Sequence, residues 1–88
     1  MLITRDTVAE QVAAYLQGNR TLTEVVSWAH EAFDTGEFDD VDLEVIRDVV
    51  ARLGLADVAA FGLTWEDAVE MLARLGYRAS VHIQPAKA

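Results

Sequence analysis

Eighty-eight residues leave room for one domain. Fifteen acids against seven bases give a net charge of −8, which argues against nucleic acids and anionic membrane surfaces as partners, because like charges would meet. Hydrophobic residues make up 52% of the chain and cysteine is absent, so a core is affordable, but neither disulfides nor thiolate metal sites reinforce it.

The same acidity suits a basic protein partner, and it also simply keeps a small protein dissolved. No apolar run reaches the roughly 20 residues that span a bilayer. Met1, Leu2, Ile3, Thr4, Arg5 and Asp6 do not form a basic region followed by an apolar one, so a signal peptide is not expected and the expected location is cytoplasmic.

Four helices are expected, each followed by a glycine: Gly18, Gly36, Gly54 and Gly76. The first covers residues 5–17, with Thr4 as N-cap, Ile3 stapled on Val8, and an apolar stripe of Val8, Val12, Tyr15 and Leu16. The second starts after Thr21, which forms a capping box with Glu24, and buries Leu22, Val25, Val26, Ala29 and Phe33. The third begins at Asp39 or Asp40. With Asp39 as its cap, Phe38 and Leu43 would make a staple. Its stripe of Leu43, Ile46, Val50 and Leu53, widened by Val45 and Val49, predicts the most buried of the four helices.

The segment 55–63 is too apolar for an open loop, and its residues 56–61 suit one short helical turn. The fourth helix is announced by Thr64, with Asp67 three residues on, and turns Ala68, Val69, Leu72 and Leu75 inward. Residues 77–83 alternate, with Tyr77, Ala79, Val81 and Ile83 on one side and Arg78, Ser80 and His82 on the other. That is a strand period, and a lone strand needs a partner. Residues 2–4, a second copy or another protein are the candidate partners, and a loosely ordered tail is the alternative. Ala51, Arg52, Leu53 and Gly54 are echoed by Ala73, Arg74, Leu75 and Gly76, which two helices with similar endings explain without a repeat array.

Between Glu31 and Asp48 stand eight acids, with Arg47 as the one Lys or Arg. Asp39, Asp40, Asp42 and Glu44 open the third helix, where the dipole favours negative charge. Glu31, Asp34 and Glu37 close the second, where it does not, and Glu31 and Asp34 repel each other across one turn. Such unfavourable placement tends to mark a functional surface, although a merely solvated acidic face is the ordinary alternative. His30, four residues before Asp34, would offset part of the repulsion.

Other chemistries fit poorly. A calcium loop starting at Asp34 would need acids at its third and fifth positions, glycine at the sixth and glutamate at the twelfth, where Gly36, Phe38, Asp39 and Val45 stand. Ser27, His30 and Asp34 have the residue types of a hydrolase triad but project from one regular helix, without a turn to supply an oxyanion hole. Two histidines far apart and no cysteine make a poor zinc set. Of the two tryptophans, Trp28 is expected in the core, and Trp65, in the first turn of the fourth helix, is either core or a partner anchor.

An acidic four-helix chain of this length invites comparison with acyl carrier proteins, but the serine in an Asp-Ser-Leu motif that carries their prosthetic arm is missing: the serines here are Ser27 and Ser80. In size, acidity and layout the chain resembles small bacterial immunity proteins and antitoxins of the colicin D immunity type. The local likeness is a helix ending at Tyr15 and Leu16, then a short polar link into Leu22, Thr23, Glu24, Val25 and Val26. The resemblance implies an inhibitor that covers the basic cleft of a nuclease.

The expected fold class is all-α, a compact four-helix bundle-like domain over residues 1–76 followed by an extended segment over 77–88. The expected function is non-enzymatic protein binding without a cofactor or metal. Glu31, Asp34, Glu37, Asp39, Asp40, Asp42 and Trp65 are the expected contacts to a basic protein partner such as a nuclease toxin. The second reading is a homo-oligomerisation domain, a homodimer in its simplest form, joined through the C-terminal strand or exposed tryptophans.

Overall fold

The computed structural model describes residues 1–81, 83, 85 and 86. Its elements run β1 (Leu2–Ile3), α1 (Arg5–Leu16), α2 (Leu22–Thr35), β2 (Glu37–Phe38), α3 (Leu43–Gly54) and α4 (Trp65–Arg74). The chain is mostly helical and compact, with one two-stranded sheet. Among the described residues, no helix is long and apolar enough to cross a membrane.

Threonine caps set three helix starts. The Thr4 hydroxyl accepts the Thr7 N–H at 3.1 Å and opens α1. Thr21 with Glu24, and Thr64 with Asp67, form complete capping boxes in which each side chain answers the other's backbone N–H, over 2.9–3.2 Å. Each box satisfies two donors that a bare helix end leaves unpaired.

α3 starts differently. Its N-cap is Asp42, in the left-handed region at φ 61° and without a side-chain cap bond. Asp39 cannot serve as the cap because it is used elsewhere. Its N–H donates to the Ile3 carbonyl at 2.9 Å, and its carboxylate accepts the Val41 N–H at 3.2 Å. The helix therefore begins three residues later than an Asp39 cap would start it, and the Phe38–Leu43 staple loses its premise.

The diverting element is the parallel pairing of β1 with β2, in register Leu2 with Glu37 and Ile3 with Phe38. Glu37 N–H reaches the Met1 carbonyl at 2.8 Å. Residues 2 and 3 do form a strand, but beside β2 and not beside the C-terminal segment. Among the described residues of 77–83 there is no strand, and His82 lies outside them. Gly36 permits the pairing: its backbone is extended (φ −80°), and a Cβ there would lie 2.4 Å from the Ala32 carbonyl oxygen and 2.9 Å from Ile3 Cγ1. Gly54 likewise serves close approach, since its added Cβ would meet the His30 ring at 3.2 Å. Only Gly18 and Gly76 of the four helix-closing glycines adopt positive φ.

The core contains no buried polar or charged residue among those described. Ile3, Val8, Val12, Val25, Ile46, Val49, Val50, Leu53 and Leu75 are its largest fully buried side chains. α2 lies chiefly against α3, and α1 against α4. The inward face of α2 is Val25, Val26, Trp28, Ala29 and Ala32, rotated from the expected stripe so that Trp28 is buried and Phe33 is not. α3 buries Ile46, Val49, Val50 and Leu53, while Leu43 and Val45 remain half-buried. Its wide stripe does not make it more buried than α2, which buries five side chains, Ala29 and Ala32 among them, against four in α3.

The α3–α4 connection is pinned at both ends by buried Ala56 and Leu63. Between them Gly62 N–H donates to the Val58 carbonyl at 3.1 Å, closing a single helical-type turn. Arg52 braces it, donating to the Gly62 carbonyl at 3.0 Å and to Asp67 at 3.3 Å, with its guanidinium 5.7 Å from the centre of the Phe61 ring.

Candidate functional site: an acidic face between α2 and α3

The end of α2, β2 and the loop into α3 carry a continuous run of carboxylates. Glu31 and Asp34 are exposed on the last turns of α2. Glu37 lies beyond the helix in β2, exposed, with its N–H engaged by Met1. The α2 dipole therefore bears on Asp34 more directly than on Glu37, and strand pairing accounts for the placement of Glu37. Asp39 is half-buried and tied into the loop, whereas Asp40 and Asp42 are exposed.

Among the described residues the ion pairs are Arg52–Asp67 at 3.3 Å and Arg74–Asp48 at 3.2 Å, both between α3 and α4. None of Glu31, Asp34, Glu37, Asp39, Asp40 or Asp42 takes part. His30 does not offset Glu31 or Asp34 through a bond either. Its ring is turned to α3, where Nε2 lies 2.9 Å from the Gly54 carbonyl and donates to it. The histidine thus closes a helix end and is not arranged as a base toward Ser27 or Asp34.

Apolar surface lies within this charge. Phe33 is 44% exposed and stacks at a tilt on half-buried Phe38, with ring centres 5.5 Å apart. Phe33 also borders a shallow cleft of about 410 Å³ formed with Glu44, Arg47, Asp48 and Ala51 of α3. Val41, at 67%, is among the most exposed aliphatic side chains of the chain. The apolar spacing of α2 predicts Phe33 in the core, whereas the structure exposes it and pairs it with Phe38. A helix with apolar residues at both 25-28-29-32 and 22-26-29-33 offers two alternative faces, and only the neighbours choose between them.

Trp65 is brought elsewhere. It is 45% exposed and borders a groove of about 630 Å³ between α1, α4 and residues 77–81. The seven expected contact residues therefore divide into six acids around the α2–α3 junction and one tryptophan in the α1–α4 groove. Among the described residues, no three His, Asp or Glu side chains converge as metal ligands would.

Compared with known proteins, the chain matches no family model, no curated protein and no solved structure.

Proposed function

We propose that this helical, bundle-like domain is a cytoplasmic, non-enzymatic binding module whose acidic face covers a basic surface of a partner protein. The observation that carries the reading is the set of exposed carboxylates Glu31, Asp34, Glu37, Asp40 and Asp42, none of them in an ion pair among the described residues, on the same stretch of chain as the exposed ring of Phe33. Unpaired carboxylates at such density repel one another. A partner's Lys and Arg side chains relieve that repulsion, and complementary potentials speed the encounter. Phe33 and Val41 supply apolar contact that charge alone lacks.

A nuclease toxin fits this chemistry, because its substrate-binding cleft is basic by necessity. The resemblance to bacterial immunity proteins and antitoxins favours the same partner. The direct experiment is to purify the chain with the product of the adjacent gene and measure both complex formation and nuclease activity. Formation of a complex that silences the nuclease supports the inhibitor reading. A neighbouring nuclease that neither binds nor is inhibited contradicts it.

A further inference from the structure

We infer that the groove between α1 and α4 binds a small amphiphilic amine, its ammonium group at Asp6 and Glu10 and its apolar body running toward Trp65. Much of the lining is apolar, from Ala9, Ala13 and Leu16 of α1 and Leu72 of α4. The volume, about 630 Å³, is that of a pocket for a small organic molecule, and an apolar wall with a few polar groups is the usual make-up of such a pocket. The two ends differ. Asp6 accepts a hydrogen bond from the Tyr77 hydroxyl, which sets the start of α1 beside the residues that follow α4. Trp65, the first residue of α4, therefore lies toward the other end, with Leu16 and Gln17 of α1. Glu10 is exposed one turn after Asp6 on the same face of α1. From Glu10 to Leu16 the helix rises about 9 Å, past Ala13, whose small side chain leaves room above the helix.

Charge selects the occupant. Among the described residues the lining carries two carboxylates, Asp6 and Glu10, against one cation, Arg78. The hydroxyl that bonds Asp6 brings no positive charge. Glu10 takes part in neither ion pair among the described residues. An anion would meet two like charges on α1, whereas a cation meets complementary ones, and the net charge of −8 enriches cations around the chain. A wholly polar cation would leave Ala13, Leu16 and the exposed indole of Trp65 unused. The ligand therefore has an apolar body about as long as the 9 Å rise between Glu10 and Leu16, and an aromatic body packs on the indole.

Three probes of one shape test this: phenylbutylamine, phenylbutanol and phenylbutyrate, each titrated into the full chain at low salt and followed by amide chemical shifts. The amine should give saturable shifts at Ala9, Ala13 and Leu72, with a dissociation constant of about 1 mM, as suits a ligand of this size. The carboxylate should bind roughly tenfold more weakly or worse. Glu10→Gln, an exposed and helix-compatible change, should weaken the amine about threefold to fivefold and leave the alcohol unchanged. Trp65→Ala should weaken amine and alcohol alike. Glu31→Gln removes the same charge from the α2–α3 face and should leave all three probes unaffected. Shifts that do not saturate by about 10 mM overturn the inference. So does a carboxylate that binds as tightly as the amine, a Glu10→Gln chain that binds the amine like the parent, or a Glu31→Gln chain that loses as much as Glu10→Gln.

Discussion

The Nε2–H of His30, on α2, donates across 2.9 Å to the carbonyl of Gly54, the last residue of α3. This one bond joins the two most extensively packed helices and occupies one of the acceptors that a helix C-terminus leaves open. The ring also fills the space a side chain at residue 54 would take, since a Cβ there would approach His30 Cδ2 to 3.2 Å. Exchanging Gly54 for Ala gains helix propensity of up to about 1 kcal/mol but displaces the ring. His30→Ala alone should cost about 1 kcal/mol. Gly54→Ala should be near neutral in the parent and stabilising in the His30→Ala background. Chemical denaturation of the four proteins in the cycle reads the coupling, and purely additive effects would contradict the contact.

Gly36→Ala should destabilise the domain by about 1–3 kcal/mol, the usual cost of overpacking. Its Cβ would fall on a backbone oxygen of α2 and on buried Ile3, neither of which can swing away. The loss should be accompanied by faster amide exchange at Glu37 and Asp39, whose N–H groups close the β1–β2 ladder. Unchanged exchange at those amides would show that Gly36 does not hold the N-terminal strand in place.

Glu24 and Asp67 are held below their ordinary values of 4.5 and 3.8, chiefly by hydrogen bonds from the backbone N–H of Thr21 and Thr64 and then by the threonine side chains. A carboxylate with a lowered pKa in the folded state adds stability that is complete above its unfolded value and is lost as pH falls through the folded one. The caps of α2 and α4 should therefore weaken as pH drops below about 4.5. Urea midpoints measured from pH 6 down to pH 3 should fall less steeply for a Glu24→Gln, Asp67→Asn variant than for the parent. The comparison cancels the relief of repulsion among the other acids. Parallel curves would contradict the role of the boxes.

Arg52 links the α3–α4 connection to both helices through Gly62 and Asp67. Arg52→Ala should cost about 1 kcal/mol, in line with a partly exposed charged hydrogen-bonding group. Arg52→Lys should recover only part of it, because one ammonium does not reproduce a guanidinium's fork. Amide exchange at Phe61 and Gly62 should rise in both variants, and an effect spread evenly over the chain would point to a general loss of stability.

The helices were legible in the sequence because local chemistry writes them. Thr4, Thr21 and Thr64 are caps with their partners at fixed spacing, and the structure seats all three. What local chemistry could not reveal is the β1–β2 pair. Two residues against two carry no detectable period, and their register depends on Ile3 being drawn into the core from a distant part of the chain. That pairing engages Asp39 and so delays α3 to Leu43. The acids of the candidate site were readable as a charge run, but the exposure of Phe33 among them was not. It follows from Trp28 and Ala32 taking the inward face of α2. Trp65 was recognisable as an unusual residue, while its separation from the acids is a tertiary fact.

The acidic face stands or falls on the rate at which this chain associates with a basic protein partner of the nuclease-toxin class proposed above. Compared at low ionic strength, the parent should bind at least about tenfold faster than a Glu31→Gln, Asp34→Asn, Glu37→Gln variant, with dissociation changed far less. The difference should shrink as salt is added. Equal association rates at low salt would contradict the claim that these carboxylates meet the partner.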